Sequence, residues 1–166
     1  MKIEVTLTGV KEVTSSLNYV DAGLSDFRKL GTWDAIATEF YKIEKETFSA
    51  EGGPSGKWKA LSPAYAAIKA KKYGNVPILT ASGQMMKSLT SRGAANSVLE
   101  QTATEMTIGT SDPKAGYHQR GNRRLPQRKV VDFDDARKER LNKVAERKVK
   151  QLIANAAARA KRTPGI

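Results

Sequence analysis

His118 is the one histidine of the chain, and it lies between Tyr117 and Gln119 in a basic stretch. Histidine is the residue type best suited to act as a general base at neutral pH or as a metal ligand. The chain has no cysteine, so it offers no thiol nucleophile, no disulfide and no cysteine zinc site. A lone histidine without a nucleophile to activate is far more often structural than catalytic. We therefore expect His118 to be a hydrogen-bonding structural residue and the protein not to be an enzyme.

Three carboxylates, Asp132, Asp134 and Asp135, are close enough in sequence to suggest a Mg²⁺ site of the kind nucleases use. Such a site needs ligands from more than one element, and no second acidic cluster lies nearby in the sequence. Carboxylates at a helix start are instead stabilised by the helix dipole. We expect a helix cap here and neither a metal nor a cofactor. A carboxylate-dependent nuclease is kept as one of three functional hypotheses, behind the two that are given at the end of this subsection.

The glycine-rich segment Gly52–Lys57 has some likeness to a phosphate-binding loop. The P-loop pattern starting at Gly52 requires a glycine where Lys57 stands, and Trp58 follows Lys57 where a hydroxyl residue is needed to reach Mg²⁺. Three glycines and a proline within six residues favour turns. The segment therefore predicts a turn and not a nucleotide site.

The positive charge of the chain is concentrated near its C-terminus. The net charge is +12, and residues 112–166 contain 16 basic and 6 acidic residues. Two groups of basic residues are candidate interaction sites: a loop patch and a helix stripe, the latter equally consistent with a solvated helix face. A basic region of this kind meets nucleic acid, an acidic protein surface or anionic lipid. The loop patch is Arg120, Arg123, Arg124, Arg128 and Lys129, and the helix stripe is Arg140, Lys143, Arg147 and Lys150.

The hydrophobic pattern predicts the elements that must position these residues. Residues 2–8 alternate as a half-buried strand does, a short helix is expected through Val13, Leu17 and Val20, and a longer one from Ser25 or Thr32 to Phe48. Ser62 and Pro63 predict the start of a helix that ends at Tyr73. Thr80 or Ser82 is expected to cap a short helix that contains Met85, Met86 and Leu89.

The C-terminal half predicts a hairpin, a loop and a long helix. Val98–Gln101 and Glu105–Gly109 are typical of paired strands. No period holds over residues 111–131, which predicts a long exposed loop. A helix is expected from Asp134 and Asp135 onward, with an apolar stripe of Leu141, Ala145, Val149, Leu152 and Ala156.

Together these elements predict an α+β protein with a small mixed or antiparallel sheet, several helices and a long C-terminal helix. A length of 166 residues suits one domain; we assign it to residues 1–156 and a flexible tail to 157–166. Trp58, Leu61 and Tyr65 are expected to pin the glycine-rich segment to the core, beneath a layer of Ile78, Leu79, Met86 and Leu89. The opening residues lack the apolar run of a signal peptide, and no stretch is apolar enough to span a membrane, so we expect a soluble product without membrane contact.

An ordered set of short motifs over about residues 40–135 resembles the phage virion morphogenesis (tail completion) family, of the Mu G-like type. Its structural positions include Gly52, Gly56, Trp58, Leu61, Tyr65, Leu79, Gly83, His118, Gly121 and Pro126. The remaining matches are Phe48, Glu51, residues 57–62, Lys69, residues 78–83, 88–89, 108–110, 117–119 and 125–128. The chain departs from the family pattern at residues 129–132, where the family often has proline, an aromatic residue and leucine.

The resemblance implies a non-enzymatic structural protein of a tailed phage or prophage, acting in tail completion and head-tail joining. It implies a neck or tail-end subunit that assembles in rings, commonly sixfold, with other copies of itself. Its other partners would be tail tube or terminator proteins and head-tail connector proteins, first in the host cytoplasm and then in the virion. The alternative is a basic DNA-binding accessory protein of virion assembly that contacts DNA through the loop patch. The loop of residues 120–129 and the last helix are expected to face neighbouring subunits, so an Arg128→Glu change is expected to impair ring or tail joining while leaving the monomer folded.

Overall fold

The computed structural model describes the backbone of residues 3–7, 26–28 and 30–162, and the side chains of residues 26–28 and 30–155. The short helix predicted through Val13, Leu17 and Val20 lies outside the described residues. The described elements form an α+β fold, as predicted from the sequence. In chain order they are β1 (Ile3–Leu7), α1 (Thr32–Ala50), β2 (Gly52–Gly53), β3 (Gly56–Lys57), α2 (Pro63–Tyr73), α3 (Gln84–Thr90), β4 (Ser97–Gln101), β5 (Met106–Thr110), α4 (Pro113–Arg120) and α5 (Asp135–Arg162).

The main sheet is antiparallel and has the strand order β1-β5-β4. In the central strand β5, Met106 pairs with Leu7 on one side and with Gln101 on the other. Met106, Ile108 and Thr110 are buried, so alternate side chains of β5 face the core. The predicted hairpin is confirmed, with its strand bounds shifted by one residue. Strands β2 and β3 form a separate two-stranded ribbon.

Helices α1 and α5 supply most of the core. Helix α1 begins at Thr32, the later of the two predicted starts, and Trp33, Phe40 and Ile43 on its inner face are buried. Burial of one such side chain stabilises the fold by roughly 1.5–3 kcal/mol. The indole Nε1 of Trp33 also donates to the carbonyl of Thr102, 2.9 Å away, which ties α1 to the turn between β4 and β5.

Helix α5 packs along α1 through buried Leu141, Val144 and Val149. Its first turn is capped as predicted, since the Arg137 amide donates to the Asp134 carboxylate at 2.9 Å. The helix continues to Arg162, beyond the boundary placed at residue 157. The division into a domain and a flexible tail stays a prediction.

Helix α2 projects from the body. Ser62 caps it and Pro63 occupies its first turn, as predicted. Lys69 is the buried residue of the helix, whereas Tyr65 is 52% exposed and Ile68 is 64% exposed. The expectation that Tyr65 pins the glycine-rich segment to the core is therefore wrong, while Trp58 is buried as expected.

The long exposed loop predicted over residues 111–131 is also wrong. Helix α4 occupies its first half, because Asp112 accepts a hydrogen bond from the Lys114 amide and Pro113 stands at the first helical position. Ala115 on the inner side of this helix is buried. Asp112 and Pro113 are a local signal for the start of a helix, but the segment that follows lacks hydrophobic periodicity, and the loop prediction was based on that lack.

One carboxyl group is fully buried in the core. Glu44 of α1 is 0% exposed, and neither of its oxygens has a hydrogen-bond partner in the described part of the chain. Burial raises the pKa of Glu44 to about 8. The positive charge of Arg137 opposes this shift, and the negative charge of Asp132 adds to it. The side chain is therefore mostly protonated at neutral pH.

We expect this carboxyl to make the protein less stable as the pH rises. The folded state holds the proton more tightly than the unfolded chain, so the free energy of unfolding falls between about pH 4.5 and about pH 8 and levels off above. The fall is at most about 5 kcal/mol, and Glu44→Gln should abolish it. Urea unfolding across this pH range measures the effect.

Glu100→Gln, at an exposed position on β4, is the matched control and should retain the wild-type pH profile. A Glu44→Gln protein that loses stability over the same pH interval as the wild type contradicts the assignment.

Candidate interaction surface

A cleft of about 880 Å³ lies between helix α2 on one side and α4 with the segment 124–128 on the other. We call it the basic cleft. Its cationic lining residues are Lys59, Lys69, Lys114, Arg124 and Arg128, and its aliphatic lining includes Leu61, Leu79, Met85, Leu125 and Pro126. Among the described residues, no aspartate or glutamate lines it. The cleft therefore combines an apolar lining with charge of a single sign.

The amide side chain of Gln119 positions the wall formed by the segment after α4. Its Oε1 accepts hydrogen bonds from the amides of Val130 and Val131, at 2.9 and 3.1 Å, and its Nε2 donates to the Val131 carbonyl at 2.8 Å. These bonds satisfy three backbone groups of a segment that belongs to no sheet. Gln119 falls within the motif match at residues 117–119, but the sequence analysis assigned it no role, because a single glutamine carries no periodic or spacing signal.

A tight turn returns the chain from α4 to this wall. Gly121 ends the helix with φ 66°, and a Cβ there would stand 2.6 Å from the Gln127 amide nitrogen, so the position requires glycine. The Asn122 side chain accepts from the amides of Arg124 and Leu125. The predicted structural role of Gly121 thus has a steric basis, and the turn leaves Arg124 exposed in the lining of the basic cleft.

Arg128 is not a surface residue. Only 4% of it is exposed, and its guanidinium donates to the carbonyls of Lys59 and Ala60 at 2.8 and 3.2 Å. Its backbone amide donates to the His118 carbonyl at 2.8 Å. Burial lowers the pKa of Arg128. The expectation that it is an exposed contact is wrong, because it joins the α4 segment to the chain that follows β3.

The β2–β3 turn is held against the same segment. The Trp58 indole donates to the Lys129 carbonyl at 2.8 Å, and Asp132 accepts from the amide and the hydroxyl of Ser55 at 2.7 and 2.9 Å. A Cβ on Gly53 would lie 2.7 Å from a carboxylate oxygen of Asp132, so the ribbon approaches closely there. Asp132 thus serves a structural purpose, and the described residues contain no cluster suited to a metal ion.

The remaining motif residues also lie around the cleft or its supports. Leu61 and Leu79 are half-buried in its lining, and Gly83 precedes α3 in the left-handed region with φ 69°. Neither Thr80 nor Ser82 is the N-cap of α3. Gly56 turns the ribbon between β2 and β3 with φ 115°.

His118 faces the basic cleft from α4. Its Nδ1 is buried and has no hydrogen-bond partner within the described ranges. Burial and then the nearby charge of Arg128 lower the pKa of His118, while Asp112 opposes the shift. The ring is therefore neutral at neutral pH, and the expected hydrogen-bonding role of its side chain is not seen at Nδ1.

The other predicted basic residues divide between exposed and paired positions. Arg120, Arg123 and Arg124 are exposed, and Lys129 donates to Ser55 at 2.9 Å. On α5, Lys143 and Lys150 pair with glutamates one turn earlier, and Arg147 is exposed. Arg140 instead faces α1, where Glu39 and Glu46 bind its guanidinium and raise its pKa. The structure therefore places Arg140 in ion pairs with α1 and buries Arg128 in the wall of the basic cleft, so neither is an exposed contact.

A sequence profile of the phage virion morphogenesis family matches residues 8–150. No curated protein and no solved structure matches the chain significantly. None of the described helices is both long enough and apolar enough to cross a membrane. The matched range includes the β2–β3 ribbon, the basic cleft and most of α5.

We expect Arg128→Glu to destabilise the monomer, contrary to the sequence-based expectation. A carboxylate at this position would face the carbonyl oxygens of Lys59 and Ala60 in a buried site, at a cost of about 3–5 kcal/mol. Urea unfolding of the purified protein measures the loss. Arg124→Glu makes the same charge change at an exposed position and should remain within about 0.5 kcal/mol of wild type; equal stability of the two variants would contradict the assignment.

Proposed function

The chain belongs to the phage virion morphogenesis family, and from that premise we propose that it is a ring-forming subunit that completes the tail and joins it to the head. Family membership gives the protein a structural or assembly role in the virion. The finer assignment, to a neck or tail-end ring of identical copies, is our proposal. Its partners would be tail tube or terminator proteins and head-tail connector proteins, and its reaction would be binding alone.

The exposed apolar side of α2 is the observation that carries the proposal. Tyr65 and Ile68 are more than half exposed, and Tyr73 at the end of the helix is 40% exposed. A helix of 11 residues is marginal in water unless a neighbouring surface packs against it. Exposed apolar side chains that lie together on a protein surface mark interaction sites, and Tyr65 and Ile68 lie one turn apart on α2. A neighbouring subunit that covers α2 would stabilise the helix and bury these side chains.

A ring requires each subunit to present two different surfaces, because its contacts are head-to-tail. Helix α2 provides one candidate surface. The outer side of α5, with exposed Lys143, Arg147 and Lys150, provides another with a different chemistry. These two surfaces support a heterologous contact. The charged outer side of α5 would contribute more to the orientation of neighbouring subunits than to their affinity.

The proposal predicts an oligomer that depends on the apolar side of α2. Ile68→Glu places a charge on this side without disturbing the core, so the isolated subunit should fold while the ring is lost. Native mass measurement of the purified protein, alone and with its tail and connector components, reports the assembly. Infectious particles from a phage that carries the variant should fall by at least about tenfold.

Ser49→Glu introduces the same charge at an exposed position on α1 and should assemble as the wild type does. A wild-type protein that stays a single subunit with every partner present contradicts the proposal, as does an Ile68→Glu protein that assembles normally.

The exposed arginines near Gly121 favour a DNA-binding accessory protein as a second candidate. Arg123 and Arg124 lie on a surface turn, where phosphates would reach them. If this candidate holds, the logarithm of the affinity for duplex DNA should fall steeply with the logarithm of salt, and Arg123→Ala should reduce that slope by about 0.9. Ser49→Ala is the control. Salt-independent or undetectable binding excludes the candidate.

A further inference from the structure

The basic cleft is lined by cationic side chains, and no aspartate or glutamate of the described residues lines it. Arg128 is almost fully buried, and no carboxylate of the described chain lies within ion-pair distance of its guanidinium. Its guanidinium donates instead to the neutral backbone carbonyls of Lys59 and Ala60. A buried cation without an anionic partner has lost solvation without a compensating ion pair. An anionic group that enters the cleft would supply that compensation.

Three exposed cationic residues add to the positive charge that Arg128 contributes to the cleft. Lys59, Lys114 and Arg124 are exposed, and they line the cleft together with Arg128. A concave site with cations on its walls and an apolar lining concentrates the field that an incoming anion meets. Charge complementarity therefore specifies a negatively charged occupant.

The aliphatic lining restricts the occupant further. Leu79, Met85 and Leu125 present flexible aliphatic surface to the cleft, and such surface binds apolar side chains by burial. A volume of about 880 Å³ is within the range of sites that enclose a compact ligand or a few residues. An occupant with carboxylates and apolar groups in alternation satisfies both parts of the lining.

We propose that the basic cleft binds a short acidic and apolar segment of a partner protein, with a carboxylate directed toward Arg128 and apolar side chains against Leu79 and Leu125. The inference rests on the proposed function for the kind of partner, a virion protein. It adds to that function a docking site on the cleft side of α2, where Tyr65 and Tyr73 form part of the wall and Ile68 does not.

The same observations weigh against nucleic acid in the cleft. Single-stranded nucleic acid is bound by successive aromatic rings on which bases stack, whereas the two tyrosines of this lining, Tyr65 and Tyr73, both lie on the α2 wall and the opposite wall presents Leu125 and Pro126. Duplex DNA, whose phosphates are spread over a wide cylinder, meets exposed ridges better than a cleft with a buried arginine. An acidic peptide, in contrast, would place one carboxylate near Arg128 and the others near the exposed cations Lys59, Lys114 and Arg124.

Selection from a displayed library of short random peptides tests the proposal with the full-length protein. Enriched peptides should alternate Asp or Glu with Leu, Ile or Phe. One enriched peptide, labelled and titrated by fluorescence anisotropy, should bind Lys114→Glu at least about tenfold more weakly than wild type. Lys114 is exposed, so the variant should fold, and circular dichroism verifies this. Lys42→Glu, on the exposed side of α1, is the charge-matched control and should bind as wild type does.

Four outcomes overturn the inference: no binding of any acidic peptide, enriched peptides without carboxylates, affinity unchanged by Lys114→Glu, and a labelled oligothymidylate that binds in a Lys114-dependent way while acidic peptides do not. Ile68 does not line the basic cleft, so Ile68→Glu leaves every cleft-lining residue in place during the ring measurement. A protein that forms rings but binds no acidic peptide therefore contradicts the docking site and leaves the proposed function standing.

Discussion

The hydrogen-bonded docking of residues 128–132 is the constraint on which the rest of the structure depends. This segment belongs to no helix or sheet, so side chains must satisfy its buried backbone groups. Gln119 does so from α4, and Trp58 does so from the chain after β3. Because the segment leads directly into α5, these bonds also set where α5 begins, and Phe133 stacks on Phe40 of α1 at a ring-centroid distance of 5.9 Å. Loss of this docking would disturb the cleft wall and the helix pair together.

Elements with a local signal were predictable from the sequence. The inner side of α1 repeats every three to four residues, and Ser62 with Pro63 specifies the start of α2 through capping and a fixed backbone angle. The hairpin of β4 and β5 has short alternating strands around a tight turn. In each case the interactions that fix the element lie within a few residues, so the residue order alone contains them.

The cleft could not be predicted, because its contacts join distant parts of the chain. Arg128 binds carbonyls 68 and 69 positions earlier, and Arg140 binds Glu39 at a separation of 101. Density of charge in the sequence indicates a basic region without indicating which cations are used internally. The prediction that Tyr65 is part of the core was wrong for a different reason. An aromatic residue near a predicted core does not reveal the direction in which its helix projects.

The distribution of charge in the fold sharpens what the net charge of +12 means. Arg140 is neutralised by two glutamates, and the lysines of α5 at 143 and 150 each have a glutamate neighbour. Among the described residues the cleft lining has cations and no carboxylate, although Glu51 and Asp112 act on Lys69 and His118 from outside the lining. A diffuse field attracts any polyanion, whereas a concave field over aliphatic side chains selects anions that also carry apolar groups. The proposed specificity for a protein segment over a bare polyanion therefore depends on where the fold places the charge and not on the amount of charge.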